Sequence, residues 1–460
     1  MKSTSVRYLY SSATVSFAMR VGGVGLLFLA NVLLARGLPV SEYGRYAYAI
    51  EWAALGAVVG CLGLDQLAIR IVPDRLRDGD AGGLRKFLLH GMVVAFSTAA
   101  AAFGLMHGLR NAGLMPAALD SMAAILLVAS LMAALTLLRL AQETMRAARR
   151  IVLSQVIEQI TWPAALLGVG VALLVGLCAA RAEIILGMQV AVYAAGAGAL
   201  LFTARSLQSA ERVRRGIGNR PESLKDMLGI GLPLAFSAAV SVFLNRGDIL
   251  ALAFFRPPDA IAVYTAASRY GALMVLGLAA VSATSAALMR DYWTAGDRDN
   301  LQRCVDRATA MASGFALPLA ATYLLVPELL LSVYGSEFER GANVLRILGI
   351  AQLLNALTGP VALLVIVCEL QREFAVTIMA CALFMVALLL ALIPRLGDEG
   401  AALSTLVAIG SLNLTLAAIV RWRTGIRCWL GRGTVQVAVA DLRAAARAAA
   451  RRMGKEPRHD

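Results

Sequence analysis

The sequence predicts an all-α integral membrane protein with about 12 transmembrane helices. Of its 460 residues, 59% are hydrophobic and 16% are charged, a balance that leaves a soluble domain unable to cover its apolar surface. The apolar residues form continuous runs of about 20 residues or more, the length of helix that spans a bilayer. Continuous runs also disfavour a membrane barrel, whose strands are about 10 residues long and alternate in polarity.

The predicted spans follow one another along most of the chain. We expect the first to remain in the protein, because its 24 residues exceed the apolar core of a cleavable signal and a second span follows directly. The spans cover residues 13–36, 44–68, 86–108, 118–138, 151–177, 183–205, 228–254, 259–289, 304–331, 342–369, 374–394 and 400–420.

The loops between the spans alternate between many and few basic residues. If the N-terminus lies in the cytoplasm, the inner side holds 32 of the 43 Lys and Arg residues and the outer side holds 8. Such a bias orients membrane proteins, so we expect both termini to be cytoplasmic. The net charge of +14 follows from this bias and a basic tail, and it requires no nucleic acid as a partner.

A polar segment divides the spans into two sets of six. We predict an N-terminal lobe at 1–208, a cytoplasmic linker at 209–227 and a C-terminal lobe at 228–421. A short proline- and tyrosine-containing pattern around Pro39 and Tyr46 recurs around Pro257 and Tyr264, as in transporters built from two repeats.

The basic tail at 422–460 contains a segment, 434–453, in which Arg443, Arg447 and Arg451 recur every fourth residue. This spacing predicts an amphipathic helix whose arginines face the anionic lipids of the inner leaflet. A solvated tail without defined structure is an equal alternative.

Six ionisable side chains within the spans stand out, since a charge inside a membrane is costly and marks a candidate functional site. The helical rise per residue places Arg246, Asp248 and Arg269 at similar depth in the membrane. In one arrangement Asp248 pairs with Arg269 and Arg246 binds a ligand; in the other, Arg269 remains available. An ion pair between Arg20 and Glu158 is a purely structural alternative. The six are Arg20, Glu51, Glu158, Arg246, Asp248 and Arg269.

The three arginines, Arg20, Arg246 and Arg269, predict a substrate-binding cavity for a diphosphate group, because a guanidinium binds phosphate through two parallel hydrogen bonds. The carboxylates Asp248, Glu51 and Glu158 either bind a coupling ion, H⁺ or Na⁺, or form hydrogen-bonded cavity walls. Neither the scattered cysteines nor the three histidines resemble a metal site. No phosphate-binding GxxxxGK[ST] motif is present, and we expect no cofactor.

Three stretches resemble a known family. Ala35–Ala49 is similar to "arlLgpeeyGlya", Leu224–Tyr270 to "lkelLrfglPlllss…r.D.lllg.f…Ya.A.r", and Leu329–Leu348 to "llyGeeF..a..vLriL". These motifs are typical of the Wzx-type polysaccharide-biosynthesis flippases, members of the multidrug/oligosaccharidyl-lipid/polysaccharide exporter superfamily. The chain departs from the family at Arg256–Pro258, where a small-residue turn is usual, and in its longer basic tail.

The resemblance implies two six-helix lobes around a central cavity. It implies alternating-access movement of an undecaprenyl-diphosphate-linked oligosaccharide from the inner to the outer leaflet of the bacterial inner membrane, for O-antigen, other surface glycan or exopolysaccharide. Polysaccharide polymerase and export machinery are the implied partners. Relatives that move peptidoglycan precursors usually have fourteen spans, so twelve argue against that substrate.

Two other functions stay open. A cation-coupled drug or metabolite antiporter of the same superfamily would favour carboxylates in its cavity, whereas this chain has an excess of arginines. A membrane glycan polymerase or ligase would carry a large outer loop, and the predicted outer loops are short. We therefore expect a transporter rather than an enzyme.

Overall fold

The computed structural model describes residues 2–177, 179–206 and 223–431, together with 433, 434 and 436. Side chains are described from residue 18 onward, except those of 205 and 206. Most of the predicted linker and of the predicted tail helix lie outside these residues. Within the described ranges the regular structure is entirely helical, which confirms the predicted all-α membrane class.

The helices follow the apolar runs closely. Their bounds are α1 Lys2–Gly37, α2 Val40–Gly60, α3 Leu64–Arg77, α4 Ala81–Asn111, α5 Met122–Ala147, α6 Ile151–Val156, α7 Trp162–Leu174, α8 Ala182–Ser206, α9 Leu224–Leu252, α10 Pro258–Thr294, α11 Arg298–Leu325, α12 Pro327–Ser332, α13 Ala342–Leu357, α14 Val361–Val367, α15 Gln371–Leu396 and α16 Asp398–Thr424. A π-helical turn, Ile157–Thr161, joins α6 to α7.

Eleven helical stretches in the described residues are long and apolar enough to cross a membrane, or twelve if α2 and α3 form one bent span. This agrees with the twelve predicted spans. The predicted span 44–68 is interrupted, however, by a bend of 47° between α2 and α3. At this bend Leu62 and Gly63 have φ angles of 46° and 80°, a left-handed conformation that glycine adopts easily and leucine rarely.

Side-chain caps begin several helices. Asp80, Ser121, Ser223 and Asp297 each accept a hydrogen bond from a backbone N–H in the first turn of α4, α5, α9 and α11. The side-chain amide and the backbone N–H of Asn300 hold the pKa of the Asp297 carboxyl below its usual value. These caps satisfy donors that the helix itself leaves without partners.

The chain forms two compact units. The first comprises Met1–Ala266, Leu331–Arg340 and Ile393–Ala401, and the second comprises Ala267–Leu330, Gly341–Leu392 and Ala402–Asp460. Within the first unit, α9 packs against α2 and α3. The division into lobes at 209–227 stays a prediction.

Candidate functional site

The most closely paired charges inside predicted spans are Glu51 on α2 and Arg246 on α9. Nη1 of Arg246 lies 2.5 Å from both carboxylate oxygens of Glu51. The Glu51 side chain is fully buried, whereas that of Arg246 is 39% exposed. The pair therefore joins a hidden anion to a cation that solvent or a ligand can reach.

Close backbone contacts hold α2 in place on either side of this pair. A Cβ atom at Gly44 would overlap the carbonyl oxygen of Pro258, and one at Gly63 would overlap the carbonyl oxygen of Gly231. We call the contacts Gly44–Pro258, Glu51–Arg246 and Gly63–Gly231 the α2 seam. The glycines let the backbones approach, and this approach brings the two charged side chains within hydrogen-bonding distance.

Gly231 also contributes to the seam from its own side. A Cβ at this position would overlap the carbonyl oxygen of Leu62, while the neighbouring Gly229 has open space around it. Gln66 donates a hydrogen bond from Nε2 to the carbonyl oxygen of Leu234 at 3.4 Å. The first turn of α3 and the start of α9 thus meet through backbone groups, directly after the bend.

Asp248 lies two residues beyond Arg246 and turns toward α10. Its Oδ2 accepts a hydrogen bond from the Tyr264 hydroxyl at 2.6 Å, and its Oδ1 accepts one from the N–H of Ile249 at 2.8 Å. Asp248 and Tyr264 are both buried. The sequence spacing predicts that Arg246 and Asp248 leave α9 on different sides, and their partners are indeed different.

Arg269 lies five residues beyond Tyr264 on α10, within the second unit, and its side chain is half-buried. A pairing with Asp248 and a role in ligand binding both stay predictions for this residue.

Arg20 and Glu158 do not form the ion pair that the sequence leaves open; no such contact exists within the described residues. Arg20 is exposed on α1. Glu158, in the π-helical turn, accepts a hydrogen bond from Nε2 of Gln142 at 3.1 Å. Gly23, one turn beyond Arg20, lies so close to the backbone of Gln159 that a Cβ would overlap its carbonyl oxygen. Turns of this π type often occur at functional sites.

A further buried carboxylate, Asp65, lies within the predicted span 44–68 and is not among the six candidate residues. Asp65 is 4% exposed and accepts a hydrogen bond from Nη2 of Arg139 at 3.2 Å. Its other oxygen accepts the N–H of Gln66 at 2.9 Å. Gly63, with a φ angle of 80°, is the N-cap residue of α3, and this helix begins just before the buried Asp65.

These arrangements can recognise a charged ligand. Only Nη1 of Arg246 is bonded to Glu51, so within the described residues Nε and Nη2 keep three N–H donors for a ligand. In the same part of the chain, no three His, Cys, Asp or Glu side chains gather as metal ligands. The α2 seam is therefore suited to bind an anionic ligand at Arg246, whose guanidinium is positioned by the buried carboxylate of Glu51.

Residues 9–288 match the family described as "Polysaccharide biosynthesis protein". Comparison with curated proteins gives no match. The fold is similar to that of an inward-facing multidrug resistance MATE family transporter of the MOP superfamily, with 15% identity and a TM-score of 0.68 over 87% of this chain and 94% of that one.

Two further solved structures share the fold. One is the lipid II flippase MurJ in an inward closed conformation, with 12% identity and a TM-score of 0.68 over 93% of this chain and 91% of that one. The other is a MOP superfamily transporter from Pyrococcus furiosus described as having a binding pocket of reverse polarity, with 14% identity and a TM-score of 0.56 over 90% and 94%. At these identities the likeness concerns the fold alone.

Proposed function

This chain belongs to the polysaccharide biosynthesis protein family, and from that premise we propose that it moves an undecaprenyl-diphosphate-linked oligosaccharide from the inner to the outer leaflet of the bacterial inner membrane. The family match over residues 9–288 confirms the resemblance predicted from the sequence. The helices cross the membrane many times, and the shared fold is one that transporters and a flippase use. Movement of a lipid-linked intermediate is the step of polysaccharide synthesis that suits such a fold.

The observation that carries the proposal is the half-exposed guanidinium of Arg246 within a spanning helix. A diphosphate keeps its charge while it crosses the apolar core and needs a cation that stays protonated there. Arg246 meets that need, and Glu51 orients it through Nη1. The remaining donors can then form two parallel hydrogen bonds with a phosphate group.

Glu51 gives this site a way to release its ligand. In the proposed cycle the diphosphate first binds Nε and Nη2 of Arg246 and then draws the guanidinium away from Glu51, which holds it again after the substrate leaves. The carboxylate is fully buried, so loss of its ion pair with Arg246 would be costly. This cost favours return of Arg246 to Glu51 and prevents the diphosphate from remaining bound.

The proposed orientation of the chain in the membrane rests on the distribution of its basic residues. With both termini in the cytoplasm, the inner side carries 32 Lys and Arg residues and the outer side 8, so the substrate enters from the more basic side. Arg20 and Arg269 are proposed as further cations on the same route, with Glu158 and Asp248 as its carboxylates. The polymerase and the export machinery would take up the substrate after release.

A deletion strain tests the proposal. We expect lipid-linked repeat units to accumulate facing the cytoplasm when the gene is removed, and the original gene to clear them. Arg246→Gln should fail to clear them at equal protein level. The matched control is Arg256→Gln, because Arg256 also pairs with a single carboxylate, Asp398 at 3.0 Å, but at an exposed position. Normal clearance by Arg246→Gln would refute the role of the cation, and the absence of any accumulation would refute the substrate.

A further inference from the structure

The second unit contains an apolar crevice that the proposed transport route does not use. It has a volume of about 210 Å³ and lies between α13, α16 and the segment 425–431 that follows α16. Its lining includes Leu354, Leu357, Gly410, Leu414, Trp429 and Leu430.

The two polar side chains in the lining, Asn413 and Thr358, form hydrogen bonds with groups of α13 and α16. Asn413 donates from Nδ2 to Oδ1 of Asn355 at 3.1 Å and to the carbonyl oxygen of Ile409 at 3.0 Å. Thr358 donates to the carbonyl oxygen of Asn355 at 2.9 Å. The space is left to be filled by apolar groups.

The segment 425–431 is fixed against the unit. The N–H of Leu430 donates to the carbonyl oxygen of Leu357 at 2.8 Å, and the N–H of Arg427 donates to Oε1 of Gln302, also at 2.8 Å. Ile426 and Cys428 are buried in the core of the unit. These contacts hold Trp429 at one end of the crevice.

A cation lies on this tryptophan. The guanidinium carbon of Arg421, in the last turn of α16, is 5.0 Å from the centre of the Trp429 ring. In the described part of the chain Arg421 has no carboxylate partner, whereas Arg423 pairs with Glu373 at 3.0 Å. The carboxylate of Asp306, which the same segment approaches, accepts hydrogen bonds from Thr434 and Gln302. Among the described residues, Arg421 is therefore a cation without an ion pair at this end of the crevice.

We propose that this crevice binds an acyl chain of an anionic phospholipid whose phosphate contacts Arg421. Leu414 is 62% exposed and Val407, two turns earlier on α16, is also exposed, so the crevice adjoins an apolar face of a spanning helix where lipid chains lie. Tryptophan is favoured at the boundary between chains and headgroups, and arginine there attracts anionic lipid. The proposal is independent of the transported substrate.

Tryptophan fluorescence of the full-length protein in detergent tests this site. Phosphatidylglycerol with brominated acyl chains should quench the fluorescence saturably, and Trp429→Phe should lose that saturable part. Arg421→Gln should weaken binding about fivefold, as expected for one arginine beside an anionic headgroup. The control is Arg423→Gln, because Arg423 lies two residues away and is already paired.

A second variant fills the apolar part of the site. A Cβ at Gly410 would make ordinary contact with Leu354, at 3.7 Å, so that Gly410→Leu extends its side chain into the crevice, while Gly314 on α11 has open space around it. We expect Gly410→Leu to weaken binding roughly tenfold, as the loss of a buried chain contact would, and Gly314→Leu to leave it unchanged.

Measurements on the unaltered protein show which lipid headgroup the crevice prefers, even if a variant fails to fold. Equal saturable quenching by brominated phosphatidylcholine, or equal affinity of Arg421→Gln and Arg423→Gln, would overturn the proposal. Displacement of the brominated lipid by undecaprenyl phosphate at lower concentration than by phosphatidylglycerol would also overturn it, since the crevice would then belong to a polyprenyl carrier.

Discussion

Glu51 and Arg246 form an asymmetric pair in which one nitrogen of the guanidinium contacts both oxygens of a fully buried carboxylate. The arginine is oriented by this contact but keeps donors toward its exposed side. If the diphosphate of the substrate binds these donors and draws the guanidinium away from Glu51, the two side chains have opposite effects on substrate binding.

Glu51→Gln should strengthen the binding of undecaprenyl diphosphate. The amide keeps the shape of the side chain but removes the charge that competes for Arg246. A hydrogen bond to a charged group contributes about 1.5–3 kcal/mol, so we expect roughly a tenfold or larger gain in affinity. Equilibrium binding of labelled undecaprenyl diphosphate to the purified protein measures it.

Asp398→Asn is the control for that prediction. Asp398 pairs with the exposed Arg256 at 3.0 Å, outside the proposed route, so its neutralisation should leave the affinity unchanged. Weaker binding by Glu51→Gln would contradict competition and would instead indicate that the carboxylate helps to bind the ligand.

Tyr264→Phe should destabilise the first unit. The substitution removes the hydroxyl that donates to the buried carboxylate of Asp248 at 2.6 Å. Leaving a buried acceptor with one donor fewer costs about 1–3 kcal/mol. Thermal unfolding in detergent should therefore begin at lower temperature than in Tyr292→Phe, which alters a less buried tyrosine. Equal unfolding temperatures would show that Asp248 does not depend on this hydroxyl.

The glycines of the α2 seam should tolerate no side chain. Gly231→Ala places a Cβ against the carbonyl oxygen of Leu62, and Gly63→Ala adds a left-handed φ angle of 80° to a similar overlap. A loss of more than about 1 kcal/mol is expected at such positions. Gly229→Ala on the same helix has open space and should be neutral or slightly stabilising. If all three variants unfold alike, the close approach at the seam is wrong.

The spans could be predicted because each apolar run carries its own signal of length and composition. The bend at Leu62 and Gly63 could not, since apolar residues resume after Asp65 and Gln66 and the predicted span continues into α3. The π-helical turn at Glu158 could not be predicted either, because helix continues on both sides of it, in α6 and α7.

The six candidate residues could be chosen because a charged side chain inside a membrane is energetically costly. Their contact partners could not be predicted. Glu51 and Arg246 are 195 residues apart, and Asp65 and Arg139 are 74 apart. Neighbouring spans suggest the pairing of Asp248 with Arg269, whereas the contact of Glu51 with Arg246 depends on α2 packing against α9. The close contacts Gly44–Pro258 and Gly63–Gly231 accompany that packing, and their partners are likewise far apart in sequence.

Transport by the purified protein in lipid vesicles tests the central claim most directly. Undecaprenyl diphosphate carrying a fluorescent sugar is placed in both leaflets, and an impermeant quencher is added outside. The protein should expose the inner-leaflet label to the quencher, and Arg256→Gln should do the same. Vesicles with Arg246→Gln should behave like protein-free vesicles. Exposure of the label by Arg246→Gln at the rate of the unaltered protein would contradict the claim that this arginine carries the diphosphate.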